Sequence, residues 1–155
     1  MYGNKFKKIH LLFIALFILS YAGLKLWQLR LPQAEVELMG QKITVWVAKT
    51  PARLYKGLGG KNNLQENQGM LLVFGKTGKH GIVMRNMEFP IDIVWLSNGE
   101  VVDIAPKVPI ESDVSEEKLI RYYPRKESNA VLELSAGWAE KNGVKIGEKI
   151  KVIED

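Results

Sequence analysis

The stretch IDIVWLSNGEVVDIA, residues 91–105, leaves little choice of local structure. Asn98-Gly99 supplies two residues that accept positive φ, as a two-residue hairpin loop requires, and apolar, β-branched runs lie on both sides of it. Such a loop places Ser97 opposite Glu100 and carries a fixed register backwards, so that Trp95 opposes Val102 and Ile93 opposes Ile104. One face of the hairpin then presents Ile91, Ile93 and Trp95 and has to be core. The other face holds Asp92 opposite Ala105, Val94 opposite Asp103 and Leu96 opposite Val101. Asp92 and Asp103 become diagonal neighbours, roughly 7–8 Å apart at the backbone.

The rest of the chain carries the same signature of short strands and sharp turns. Lys42–Ala48 alternates, with Ile43, Val45 and Val47 on one side, and pairs with Glu35–Met39 across a turn at Gly40-Gln41. Thr50-Pro51 reads as the N-cap and first residue of a short helix, ended by Gly57, Gly59 and Gly60. Gly69–Phe74 is a continuous apolar run suited to a buried strand. Ser115–Tyr122 predicts a helical turn within a long loop, Asn129–Leu134 a strand, Ala136–Asn142 a short helix closed by Gly143, and Lys149–Ile153 a last strand. The expected fold class is mainly β (a β-rich α+β domain), a compact sandwich or partly closed barrel with short helices.

Ahead of this domain lies IHLLFIALFILSYAGL, residues 9–24, with Lys5, Lys7 and Lys8 before it and Lys25 and Arg30 after it. Extended through Trp27 to Leu29, the stretch reaches the roughly 20 apolar residues that a membrane-spanning helix needs. Residues 1–30 are therefore read as a hydrophobic helix that anchors the chain in the bilayer through residues 9–29, its N-terminus cytoplasmic and its domain outside. Residues 31–34 are a linker and 35–155 the β-rich domain. The competing reading is a secretory signal peptide cleaved near Ala22, which leaves the domain secreted or periplasmic.

Charge follows the same division. Of 22 Lys and Arg, five lie in residues 1–34, which hold no acid; the other 17 are balanced by all 17 Asp and Glu in residues 35–155. The net charge of +5 is a property of the leader, and a neutral domain lacks the electrostatic footprint expected of a nucleic-acid partner. Cysteine is absent, which excludes disulfides, thiolate metal sites and cysteine nucleophiles. Of the two histidines, His10 is in the leader, and His80 sits in GKTGKHG, read as a solvated loop. Gly75-Lys76-Thr77 lacks the first glycine of a phosphate loop, since position 70 is Met70. Neither a metal site nor a cofactor is expected.

The residues that remain as a candidate site surround IVMRNMEFPID, residues 82–92. Met84, Arg85, Asn86 and Asp92, with Asp103 from the hairpin, combine a cation, an amide, carboxylates and apolar cover, a mixture suited to a recognition pocket. Asn86 is also suited to a left-handed turn or to binding the loop backbone. Asp92 has two readings: it faces a ligand, or it caps backbone N–H groups and holds the neighbouring loop in shape.

At these residues the chain resembles the prokaryotic family known as domain of unknown function 192. The resemblance rests on Gly57-Leu58, Gly69-Met70-Leu71 with Phe74, Met84-Arg85-Asn86 with Pro90-Ile91-Asp92, Val131-Leu132-Glu133-Leu134 with Ala136-Gly137, and Gly147-Glu148, in that order. Gly59 stands where the family has Met, Val83 where it has Trp, Arg85 in place of Lys and Met87 in place of Thr. The resemblance implies a compact, mainly β domain, often exported or anchored, and no established activity.

Two functions stay open. One is a membrane-tethered extracytoplasmic binding or accessory domain that recognises a small ligand or an envelope protein; the lack of a catalytic constellation favours it. The other is a carboxylate-based hydrolase acting on an envelope or sugar substrate, using Asp92 with Asp103 or Glu88.

Overall fold

The structure, a computed structural model, describes residues 3–29 and 31–153. It divides into two units, one N-terminal and one running from Pro32 onwards.

The N-terminal unit is a single helix, α1 (Gly3–Leu29). Side chains are described for residues 10–23, and its large apolar ones, from Leu11 to Tyr21, are exposed. Among the described residues no helix is long and apolar enough to cross a membrane. The basic flanks Lys5, Lys7, Lys8, Lys25 and Arg30 and the interfacial Trp27, on which the anchor reading depends, lie outside the described side chains.

The second unit is one seven-stranded sheet with brief helices. Its elements are β1 (Gln33–Leu38), β2 (Gln41–Ala48), α2 (Pro51–Lys56), β3 (Gln68–Gly78), β4 (Ile91–Ser97), β5 (Glu100–Val108), a 3₁₀ turn at Glu116–Lys118, β6 (Ser128–Ser135), α3 (Trp138–Lys141) and β7 (Lys151–Ile153). The strand order is β5-β4-β6-β3-β2-β1-β7. All pairings are antiparallel except β2 with β3, which run parallel with α2 as the crossover. The expected sandwich or partly closed barrel is replaced by a single open sheet. Among the described residues the outer elements meet at one end, where Val101 N donates to the Glu148 carbonyl at 2.8 Å and Ile150 N to that of Gly99 at 2.9 Å.

Local chemistry accounts for most element boundaries. Thr50 Oγ1 accepts from Arg53 N at 3.4 Å and caps α2, which Gly57 ends. Both tight hairpins carry two consecutive positive φ values, at Asn98-Gly99 and at Met39-Gly40, so the first turn falls one residue before the expected Gly40-Gln41.

The hairpin's register departs from the simple expectation. Leu96 pairs with Val101 as the loop dictates, but Trp95 pairs with Asp103, Val94 with Ile104 and Ile93 with Ala105. A bulge at Val102 shifts the count by one, and because side chains alternate, everything beyond it changes face. A second shift follows between Ala105 and Val108. Asp103 therefore shares a face with Trp95, whereas Asp92 pairs with Leu134 on the opposite face. The two carboxylates are separated by the sheet.

Both faces are covered, so β4 is buried along its length except at Ser97. The larger core includes Val36, Leu38, Ile43, Val45, Val94, Leu96, Leu132 and Leu134, capped by Trp138 and Ala139 of α3. On the other face Met70, Leu72, Ile93, Trp95 and Val131 are buried together with Leu58, Ile82 and Met84, residues of α2's C-terminal turn and of the segment before β4. Two buried acids share that face: Asp103, opposite Trp95, and Glu133, paired across the ladders with Met70 and Ile93.

Candidate functional site

Glu133 lies on β6, the third strand of the sheet, between β4 and β3. It is 4% exposed, and its Oε2 is buried with no hydrogen-bond partner among the described residues. A carboxylate stripped of water and left unpaired is expensive, so the group keeps its proton: burial pushes its pKa up to about 8. Near neutral pH Glu133 is mainly a neutral carboxylic acid, able to donate one hydrogen bond.

Glu133 reaches the floor of a cavity of roughly 150 Å³. Its walls mix polar surface with apolar side chains, the latter from Leu54 of α2 and Leu58 just after it, Leu72 of β3, Ile82, Val83 and Met87 of the segment before β4, and Ile91 of β4. Tyr55, Lys56, Arg85 and Arg121 complete it. Glycine shapes the lining at two points. A Cβ at Gly81 would come within 2.7 Å of Arg121 Cγ and of Tyr123 Cε1; one at Gly59, just behind the wall, would come within 2.7 Å of the Arg85 carbonyl oxygen.

Arg85 is a strut of this site. Its Nη1 donates to the Tyr55 carbonyl at 2.6 Å, its Nε to Glu116 Oε2 at 2.7 Å and its Nη2 to Glu116 Oε1, while the guanidinium lies 3.7 Å over the Tyr55 ring. It ties α2 to the loop that follows β5. The Glu116 carboxylate raises the arginine's pKa, and Arg85 in turn lowers that of Glu116. Arg121, on the same rim, makes no ion pair within 4 Å among the described residues.

The structure divides the residues expected to form the site. Arg85 lines the cavity and, with Asn86 and Met87, a wider depression beside it. Asn86 has φ +51° and its carbonyl accepts from Gly60 N at 2.9 Å, so it performs the turn its residue type predicts. Met84 is wholly buried core. Asp92 is wholly buried too and caps backbone: Oδ1 accepts from Lys107 N at 2.7 Å and Gly137 N at 2.9 Å, and Oδ2 from Ala139 N at 2.8 Å. The capping alternative is the observed one, but the amides belong to β5 and to the start of α3, not to the 85–90 loop. Asp103 accepts from Ile104 N at 2.9 Å and from Arg125, whose N lies at 2.7 Å and Nη2 at 2.5 Å. The Arg125 guanidinium, against the opposing effect of burial, holds the Asp103 carboxyl below its ordinary range. Glu88 is exposed and lines the same wider depression as Arg85 and Asn86.

His80 also differs from its expected solvated loop: its ring stacks on Phe74 at 3.8 Å, and its carbonyl accepts from Trp95 Nε1 at 2.9 Å. Sequence reasoning places Glu133 in the VLEL strand but not in the site. The available signal is an acid at the centre of an otherwise apolar strand, where an unpaired charge is not tolerated.

A single open sheet, backed by a core on one face and hollowed on the other over one buried acid, defines a β-rich domain with a single-carboxyl cavity. The chain belongs to the domain of unknown function 192 family, DUF192, described as uncharacterized ACR, whose match covers residues 34–152. Two solved structures share the fold. One is a protein from Sinorhizobium meliloti 1021 described as a proposed transcription regulator, with 25% identity, a TM-score of 0.70, and coverage of 80% of this chain and 96% of that one. The other is a protein of unknown function from Novosphingobium aromaticivorans DSM 12444, with 25% identity, a TM-score of 0.67, and coverage of 78% and 84%. No curated protein matches the chain.

Proposed function

We propose that this protein is a membrane-tethered binding module, held outside the cytoplasm by its N-terminal segment, that recognises a small ligand in the cavity over Glu133. The observation that carries the binding reading is the buried, unpartnered carboxyl group at the floor of that cavity. Ligand sites are mostly apolar concavities with a few convergent polar groups, and perturbed titratable groups concentrate in them. The tether rests on the apolar stretch 9–29 with its basic flanks.

The alternative, a carboxylate hydrolase on an envelope or sugar substrate, draws support from Glu133 holding its proton to about pH 8, as a general acid does. A paired-carboxylate mechanism needs a second acid facing the first. Among the described residues the cavity lining contains one acid, and Asp92 and Asp103 lie on opposite faces. Recognition is therefore favoured. The regulatory role proposed for the Sinorhizobium protein finds no electrostatic support here, because residues 35–155 are neutral.

A thermal-shift screen of the whole chain against small metabolites tests the binding reading. Compounds that raise the melting temperature should lose that effect in Glu133→Leu, and hits indifferent to Glu133 overturn it. A reporter enzyme active only outside the cytoplasm, fused after Asp155, tests the tether; activity confined to the cytoplasm refutes it.

A further inference from the structure

Resting on the reading of this cavity as the binding site, we propose that its ligand is a small carboxylate, the size of acetate to butyrate, whose head group accepts a hydrogen bond from the Glu133 carboxyl and is held by the field of Arg121. Three independent features converge on that class.

The first is size. A cavity of about 150 Å³ equals roughly five waters at about 30 Å³ each, below the usual range for drug-sized ligands. The second is hydrogen-bond polarity. The Glu133 carboxyl has a buried oxygen with no hydrogen-bond partner among the described residues, and its ladder neighbours, Met70 and Ile93, offer nothing from their side chains beyond the weak acceptor of the Met70 sulfur. The ligand must bring an oxygen. The third is charge. The other charged groups in the lining are Lys56, Arg85 and Arg121, all cations. Glu116 pairs with Arg85 and also feels the charge of Arg121, which itself makes no ion pair within 4 Å among the described residues; three cations against that one carboxylate leave the rim positive, so it attracts an anion and repels an ammonium group. A short acyl chain would lie against Leu58, Leu72, Ile82 and Ile91.

The titratable groups lining the cavity with Glu133 are Tyr55, Lys56, Arg85 and Arg121; none is an acid that could take over its donor role in the neutral range. Binding should follow the protonation of Glu133. Affinity should hold to about pH 7 and fall roughly tenfold by pH 9, since the protonated fraction of a group with a value of about 8 falls from about nine-tenths to about one-tenth over that range.

The test is calorimetric titration of the whole chain with propionate, set against propionamide, ethylammonium and inorganic phosphate. Propionate should bind most tightly, lose about tenfold in affinity from pH 7 to pH 9, and weaken several-fold in Arg121→Gln. Glu133→Gln retains an N–H donor and should bind propionate with a flat pH profile, whereas Glu133→Leu should not bind it. Three results overturn the proposal: tighter binding of ethylammonium, phosphate or propionamide than of propionate; a propionate affinity equal at pH 7 and pH 9; or unchanged binding in Glu133→Leu. If none of the four probes binds while the metabolite screen yields Glu133-dependent ligands, the ligand class is wrong and the cavity reading stands. If no ligand depends on Glu133, both fall.

Discussion

Replacing Glu133 by Gln should make the protein's stability markedly less sensitive to alkali. In the folded chain the carboxyl holds its proton to about pH 8, against an ordinary value of 4.5. A folded-state value above the unfolded one means that the native state binds the proton more tightly. The stabilisation linked to that proton is full below pH 4.5, shrinks as pH rises, and is gone above pH 8. At about 1.4 kcal/mol per tenfold change, the wild-type chain should lose about 4 kcal/mol between pH 5 and pH 9 from this group alone. The amide side chain of the Glu133→Gln variant does not titrate and carries no such linkage. The other titrating groups are common to both proteins, so they cancel in the difference. Urea unfolding of the two proteins at pH 5, 7, 8 and 9 measures the gap directly. The variant should become relatively more stable at each step up to pH 8, after which the gap levels off. A gap constant to within about 1 kcal/mol from pH 5 to pH 9 refutes the claim that Glu133 is folded as a buried neutral acid, and with it the polarity assigned to the cavity floor.

Three further outcomes follow from the same geometry. Asp92→Ala strands three amide donors, of Lys107, Gly137 and the buried Ala139, and should cost about 3 kcal/mol in urea unfolding, with α3 and the end of β5 losing hydrogen-exchange protection first. Gly59→Ala forces a methyl group against the Arg85 carbonyl and should lower stability by about 1–3 kcal/mol by thermal melting. Arg125→Ala removes the main cause of Asp103's depressed pKa. Because that value lies below the unfolded one, the wild type's advantage over the variant should be present above about pH 4 and vanish as acid protonates Asp103, a pattern read from melting temperatures between about pH 2 and pH 7.

How far the site could be read from the chain differs residue by residue. Asn86 was legible because its residue type suits a left-handed turn, one of the two roles expected of it, and Thr50-Pro51 because capping chemistry is local. The Asp92–Asp103 pairing was not, because it assumed an uninterrupted ladder. One extra residue at Val102 moves Asp103 across the sheet, and neither Val101 nor Val102 marks the bulge by its chemistry. Asp92's partners lie 15, 45 and 47 residues away, beyond the reach of any periodicity argument.

The sequence by itself determined a cysteine-free, strand-dominated domain, neutral over residues 35–155, with its turns at the Gly, Asn and Pro positions and its apolar runs in strands. These are consequences of φ preferences and of alternation over a few residues, which act wherever the chain happens to be. The tertiary structure decided what the acids do. It ran β6 through the interior of the sheet, put Glu133 on its hollowed face with no partner among the described residues, and surrounded Asp92 and Asp103 with amides and an arginine. A carboxyl group's charge depends on the solvent and donors within a few ångströms of it, and in this fold those are set by residues distant in the chain.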